Sequence, residues 1–110
     1  MLMNAQDRKV YRMKAQVVQA IAHPIRLAVV DCLADGELCV CHIAERVGAQ
    51  RSNLSRHLAV MVKAGILESR KEGLWMMYSL RTPCIVKFLG CITTILKDQA
   101  RDTQTVLACL

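Results

Sequence analysis

Aromatic side chains make up only 4% of this 110-residue chain, with a single Trp, a single Phe and two Tyr. Its core must therefore be aliphatic, built from Leu, Ile, Val, Met and Ala. No run of eighteen apolar residues occurs. The best candidate, residues 85–96, is interrupted by Lys87, which argues against a membrane-spanning helix; no membrane partner is expected. The N-terminus lacks the apolar stretch of a secretory leader, because Asp7, Arg8 and Lys9 come too early. A soluble, cytoplasmic protein is expected. Internal repeats and low-complexity tracts are also absent. Hydrophobic residues at 54% and charged residues at 22% exclude intrinsic disorder. The length suits one domain, residues 1–110, with 1–7 and 102–110 expected as flexible tails.

The charge that is present is uneven. The chain carries a net +6. Residues 46–71 hold six basic side chains against Glu68 alone. A local excess of +5 points to a polyanion, most simply nucleic acid. The six cysteines would form a disulfide scaffold in a secreted chain. In a reducing compartment they are read instead as metal ligands, redox thiols or small buried hydrophobes.

Helical periodicity dominates. Val10, Met13, Val17 and Ile21 mark a helix over 8–22, ended by His23-Pro24. Pro24 opens a second, largely buried helix that Asp35-Gly36 stops. A short helix over 41–47 ends at Gly48, and Ala49-Gln50 form a tight turn. Leu54, Leu58, Met61 and Val62 define one face of a segment over 51–64, with Gly65 placed for a left-handed cap. Alternation at Leu74, Met76, Tyr78 and Leu80, with a turn at Glu72-Gly73, predicts a β-hairpin over 66–80. Pro83 opens a last helix reaching about residue 101, with two adjacent apolar stripes. One is Cys84, Phe88, Cys91 and Ile95; the other is Ile85, Leu89, Ile92 and Leu96. So wide a face calls for a partner helix.

The expected fold is mainly α with one hairpin: a winged helix-turn-helix of about five helices. The second helix of that unit offers Arg51, Ser52, Asn53, Ser55, Arg56 and His57 at the end that enters a major groove. The serines suit phosphates; Asn53, Arg56 and His57 suit base edges or phosphates. Arg70 and Lys71, beside the hairpin turn, suit backbone or minor-groove contact. Each residue alone is as readily a solvated charge as a DNA contact; the constellation, inside the +5 block, favours DNA.

Four stretches resemble the ArsR/SmtB family: Ala22-His23-Pro24-Ile25-Arg26-Leu27, Gly36-Glu37-Leu38-Cys39-Val40-Cys41, Ser52-Asn53-Leu54-Ser55-Arg56-His57-Leu58, and Ala64-Gly65-Ile66-Leu67. The resemblance covers about residues 9–98. It implies a homodimeric winged-helix repressor whose first and last helices pair across the dimer. Such a repressor leaves an imperfectly palindromic double-stranded operator when a metal, metalloid or thiol-reactive signal binds. It implies no obligatory cofactor and no enzymatic activity.

Within that resemblance, Glu37-Leu38-Cys39-Val40-Cys41 is similar to the metal box of arsenite and cadmium/lead sensors. The chemistry agrees on one condition. Two thiols two residues apart lie about 200° apart around a regular helix, so they converge only if the helix starts between or after them. A helix N-terminus favours the thiolate, which binds soft ions. Candidate inducers are As(III) or Sb(III), with As(III) placed first, and Cd(II) or Pb(II). The box is incomplete: His42 stands where the family often has Asp, and Ala44 where arsenite sensors have a third cysteine. Additional donors could be Cys109, Cys32 or, for Cd(II) or Zn(II), His42. Cys84 and Cys91, seven apart and so on one helical face, are packing residues or an alternative thiol site. The zinc site of other members is missing, since residues 83–110 contain no His and no Glu. Two further readings stand beside this one. The same fold could sense oxidation or persulfides, or a cysteine could serve a thiol enzyme with His42 as base and Glu37 or Glu45 to orient it.

Overall fold

A computed structural model of the chain describes residues 2–103. The elements run α1 (Ala5–Gln19), α2 (Pro24–Cys32), β1 (Leu38–Cys39), α3 (Val40–Val47), α4 (Arg51–Lys63), β2 (Leu67–Glu72), β3 (Trp75–Leu80) and α5 (Ile85–Thr103). Five helices and the hairpin stand where the periodicity put them.

The boundaries differ in instructive ways. α1 starts at Ala5, so residues 5–7 are not a tail. Asn4 Oδ1 accepts from the Asp7 amide at 2.8 Å, and the Asp7 carboxylate accepts from the Asn4 amide at 3.2 Å. This reciprocal capping box starts the helix one turn early. At the other end α5 runs through residue 103, beyond the expected stop; residues 104–110, including Cys109, lie outside the described residues. α2 opens on Pro24, and His23 caps it by accepting the Ile25 amide at 3.1 Å on Nδ1. The turn from α3 into α4 depends on Gly48 at φ +74°, a left-handed position that side-chain-bearing residues avoid. Gly65 closes α4 in the same way at φ +84°.

A two-residue strand, β1, was not expected. It completes a three-stranded antiparallel sheet in the order β1-β3-β2. Leu38 faces Tyr78, Cys39 faces Met77, and Met77 in turn faces Arg70. Residues opposite one another share a face of the sheet. Leu38, Tyr78, Leu67 and Leu80 therefore turn to the core, and the row Cys39–Met77–Arg70 turns away from it. The hairpin turn is Gly73-Leu74, because Glu72 pairs directly with Trp75. Leu74 is the exposed tip of this wing rather than part of its alternation.

Val29, Val30, Leu33, Ile43, Leu54, Leu58, Met61 and Leu67 form the fully buried centre. It is aliphatic throughout, as the shortage of aromatics requires. α1 buries only the residues that follow it, Ala20 and Ile21, and makes no substantial contact with another element. Val10, Tyr11, Met13, Val17 and Val18 on α1 are exposed, as are Phe88, Ile92 and Ile95 on α5. The radius of gyration is 16.4 Å, against roughly 13 Å for a compact chain of this length. Among the described residues, no helix is long and apolar enough to cross a membrane.

Candidate nucleic-acid interface and thiol cavity

Burial of Leu54, Leu58 and Met61 sets the rotation of α4. Arg51, Ser52, Ser55 and Arg56 are then exposed, and half-buried Asn53 accepts a hydrogen bond from Arg56 Nη2 at 3.4 Å. Gln50 precedes the helix without a side-chain cap. The first-turn amides are thus free of a capping side chain, and a phosphate is a natural acceptor for them. An open hollow of about 460 Å3 runs from Val47 through the turn to Ser52, Asn53 and Arg56.

His57 is turned differently. Its Nδ1 accepts from Arg26 Nε at 3.0 Å, and its ring lies 4.3 Å from that of His23. Arg26 also donates to the Ala20 carbonyl at 3.3 Å. His57 therefore fastens α4 to the start of α2 instead of pointing outward with Arg56. Burial first, then the positive charges of His23, Arg26 and Arg56, push its pKa below 6.5.

On the wing, Lys71 is exposed and has no ion pair among the described residues. Arg70 is engaged. It grips Glu37 through Nε at 2.8 Å and Nη2 at 2.5 Å, and Nη2 also reaches Glu72 at 2.9 Å. These bonds hold the Glu37 carboxyl below its usual range and raise the Arg70 guanidinium further above its own. Arg70 thus ties the wing to the segment leading into β1, a task that its place beside the turn did not suggest.

Cys39 is extended, with φ −77° and ψ 158°, and precedes α3; Cys41 lies in the first turn of that helix. The helix begins between the two thiols, so the opposition they would have within a regular helix is relieved. Both line one cavity of about 310 Å3, together with Glu37, Leu38, His42, Trp75 and Met77. Cys39 is 8% exposed and caps nothing with its side chain. Cys32, half-buried at the end of α2, does not line this cavity. Cys84 and Cys91 are exposed and free, so neither packs in the core of its own protomer. Among the described residues, no three His, Cys, Asp or Glu side chains come together as a metal-binding group.

Residues 23–69 match the family model for bacterial regulatory proteins of the arsR family. An HTH-type transcriptional regulator of Mycobacterium tuberculosis is 30% identical over 103 residues, covering 93% of this chain and 90% of that protein. The chain belongs to the ArsR family. The arsenical resistance operon repressor of Escherichia coli is 38% identical to this ArsR-family protein over 66 residues, 59% of the chain and 56% of that repressor. In three dimensions, NolR from Sinorhizobium fredii aligns with a TM-score of 0.77 at 26% identity, covering 86% of this chain and 95% of NolR.

This ArsR-family protein is thus a winged helix-turn-helix regulator rather than an enzyme. Glu37, one of the two acids that could have oriented His42, is instead held by Arg70. Two functional contacts escaped the sequence reading. Glu37 appeared as part of the cysteine box and as an acid that could orient His42, never as a partner of Arg70, and Arg26 only as part of a motif string. The one available signal was an acid and a base of opposite charge, Glu37 just before β1 and Arg70 within β2, on the two strands that flank β3.

Proposed function

We propose that this protein is a homodimeric repressor that binds a palindromic operator and leaves it when a thiophilic ion binds Cys39 and Cys41. α4 enters the major groove with Arg51, Ser52, Asn53, Ser55 and Arg56, and Lys71 on the wing reaches the adjacent backbone. The dimer forms through the apolar faces of α1 and α5 that a single chain leaves exposed. Two recognition helices related by a two-fold axis meet half-sites about one helical turn apart, hence the palindrome.

The observation that carries the proposal is the shared cavity of Cys39 and Cys41 at the junction of β1 and α3. One thiol sits on a strand paired with the wing; the other sits in the helix packed under α4. An ion drawing them together acts on both DNA-contacting elements at once. As(III), which the similarity to arsenite sensors puts first, needs a third thiolate from outside the described lining of the cavity, Cys32 or Cys109; Cd(II) or Zn(II) would accept His42.

The test is a titration of the protein–operator complex with As(III), Sb(III), Cd(II), Pb(II), Zn(II) and a persulfide donor. Cys39→Ser/Cys41→Ser should bind the operator normally and fail to release it. If that double variant stays inducible while Cys84→Ser or Cys91→Ser does not, the sensor lies on α5. Release accompanied by a 2 Da loss or by added sulfur in the mass spectrum would mean thiol oxidation or persulfidation in place of ion binding.

A further inference from the structure

Met77 stands directly opposite Cys39 in the β1–β3 register and lines the same cavity as Cys39 and Cys41. Opposed residues on one sheet face have Cβ atoms about 5 Å apart, which lets two sulfur atoms reach one ion. The cavity thus brings together two free thiols and one thioether. The chemistry of that set is narrow. A thioether is neutral and soft, gives up no proton, and cannot replace the third thiolate that As(III) requires. Thiolate and thioether ligands suit soft ions, and of these Cu(I) is the one best matched to a neutral thioether beside two thiolates.

We infer that Cys39, Cys41 and Met77 form a three-sulfur site for Cu(I), with Ag(I) as its redox-inert equivalent. The inference rests on the thiol-site reading above and adds the third ligand and the ion. One Cu(I) replaces two thiol protons and no electron is transferred, so the bound site carries one negative charge more than the free thiols. That charge arises on the outer sheet face beside the Glu37–Arg70 pair, where it competes with Glu37 for the guanidinium. Trp75 lines the same cavity and is the only Trp in the chain, so its fluorescence reports on occupancy.

The experiment is an anaerobic titration of the full-length protein with Cu(I) buffered by bicinchoninate, following chelator bleaching and Trp75 fluorescence. One Cu(I) per chain should bind and quench Trp75, and Met77→Leu should weaken binding at least tenfold without altering operator affinity. In wild-type protein carrying 13C-methyl methionine, Ag(I) should shift the Met77 methyl resonance, which decides the matter even if Met77→Leu folds poorly. A Met77 methyl that stays put while the thiols take up metal overturns the third ligand and leaves the thiol site standing. Wild-type Cu(I) affinity in Cys39→Ser/Cys41→Ser overturns both.

Discussion

Arg26 Nε–H can only donate, so the bond it makes to His57 Nδ1 requires a neutral imidazole with its proton on Nε2. Protonation at Nδ1 would set two donors against each other. The depressed pKa of His57 fixes the sign of the pH dependence. A folded-state value below the unfolded one gives a stabilisation that is complete above pH 6.5 and fades as pH falls through the lowered value. The melting temperature should therefore drop as the pH falls below 6.5, and less so in His57→Gln, which keeps an acceptor but does not titrate. Equal slopes in the two proteins would remove His57 from this role. Arg56 answers to a different measurement. It is exposed at the start of α4 and held by Asn53, so Arg56→Ala should cost roughly 1–3 kcal/mol of operator affinity if it reads a base. Affinity unchanged in a binding titration would take Arg56 off the DNA. Ser52, Ser55 and Arg56 were legible in the sequence because Leu54, Leu58 and Met61 fix the helix rotation locally. His57 and Arg70 were not, because their partners lie 31 and 33 residues away in the chain.

Among the elements, α1 and α5 have the clearest unmet requirement. Among the described residues, α1 makes no substantial contact with another element, and α5 sets Ile85, Val86 and Leu89 against the central core cluster. Phe88, Ile92 and Ile95 remain 47%, 40% and 55% exposed. A second protomer that covers these faces accounts for both. Ile92→Asp should then leave the winged domain folded, since Ile92 is already partly solvated, while a charge buried at the interface costs several kcal/mol. Sedimentation should show a folded monomer; a stable dimer would place the interface elsewhere. The helices were readable because a period of 3.6 residues needs only the local sequence. β1 was not, since two residues carry no periodicity and the strand exists only through pairing with Tyr78 and Met77. The early start of α1 was open to reading in Asn4 and Asp7, whose spacing is that of a capping box.

For the molecule as a whole, the proposed response is a coupling between the cavity and the DNA-contacting surface, and its physical route is short. The row Cys39–Met77–Arg70 crosses all three strands on one face, and Glu37 closes it by holding Arg70 from the β1 side. An ion that moves Cys39 therefore pulls on the middle strand of the wing and on the clamp that steadies its outer strand. Coupling of this kind is reciprocal: whatever factor the ion takes from operator affinity, the operator must take from ion affinity. A coupling of about 1–3 kcal/mol corresponds to roughly 5–150-fold in each direction. Glu37→Gln keeps the size of the side chain and removes the charge that holds Arg70. It should leave ion affinity in the absence of DNA within a few fold of wild type and shrink the factor by which the operator lowers it. Ion affinities measured with and without saturating operator, in both proteins, give that factor directly. If Glu37→Gln keeps the full wild-type factor, the signal does not travel through the wing, and α3 packing beneath α4 must carry it.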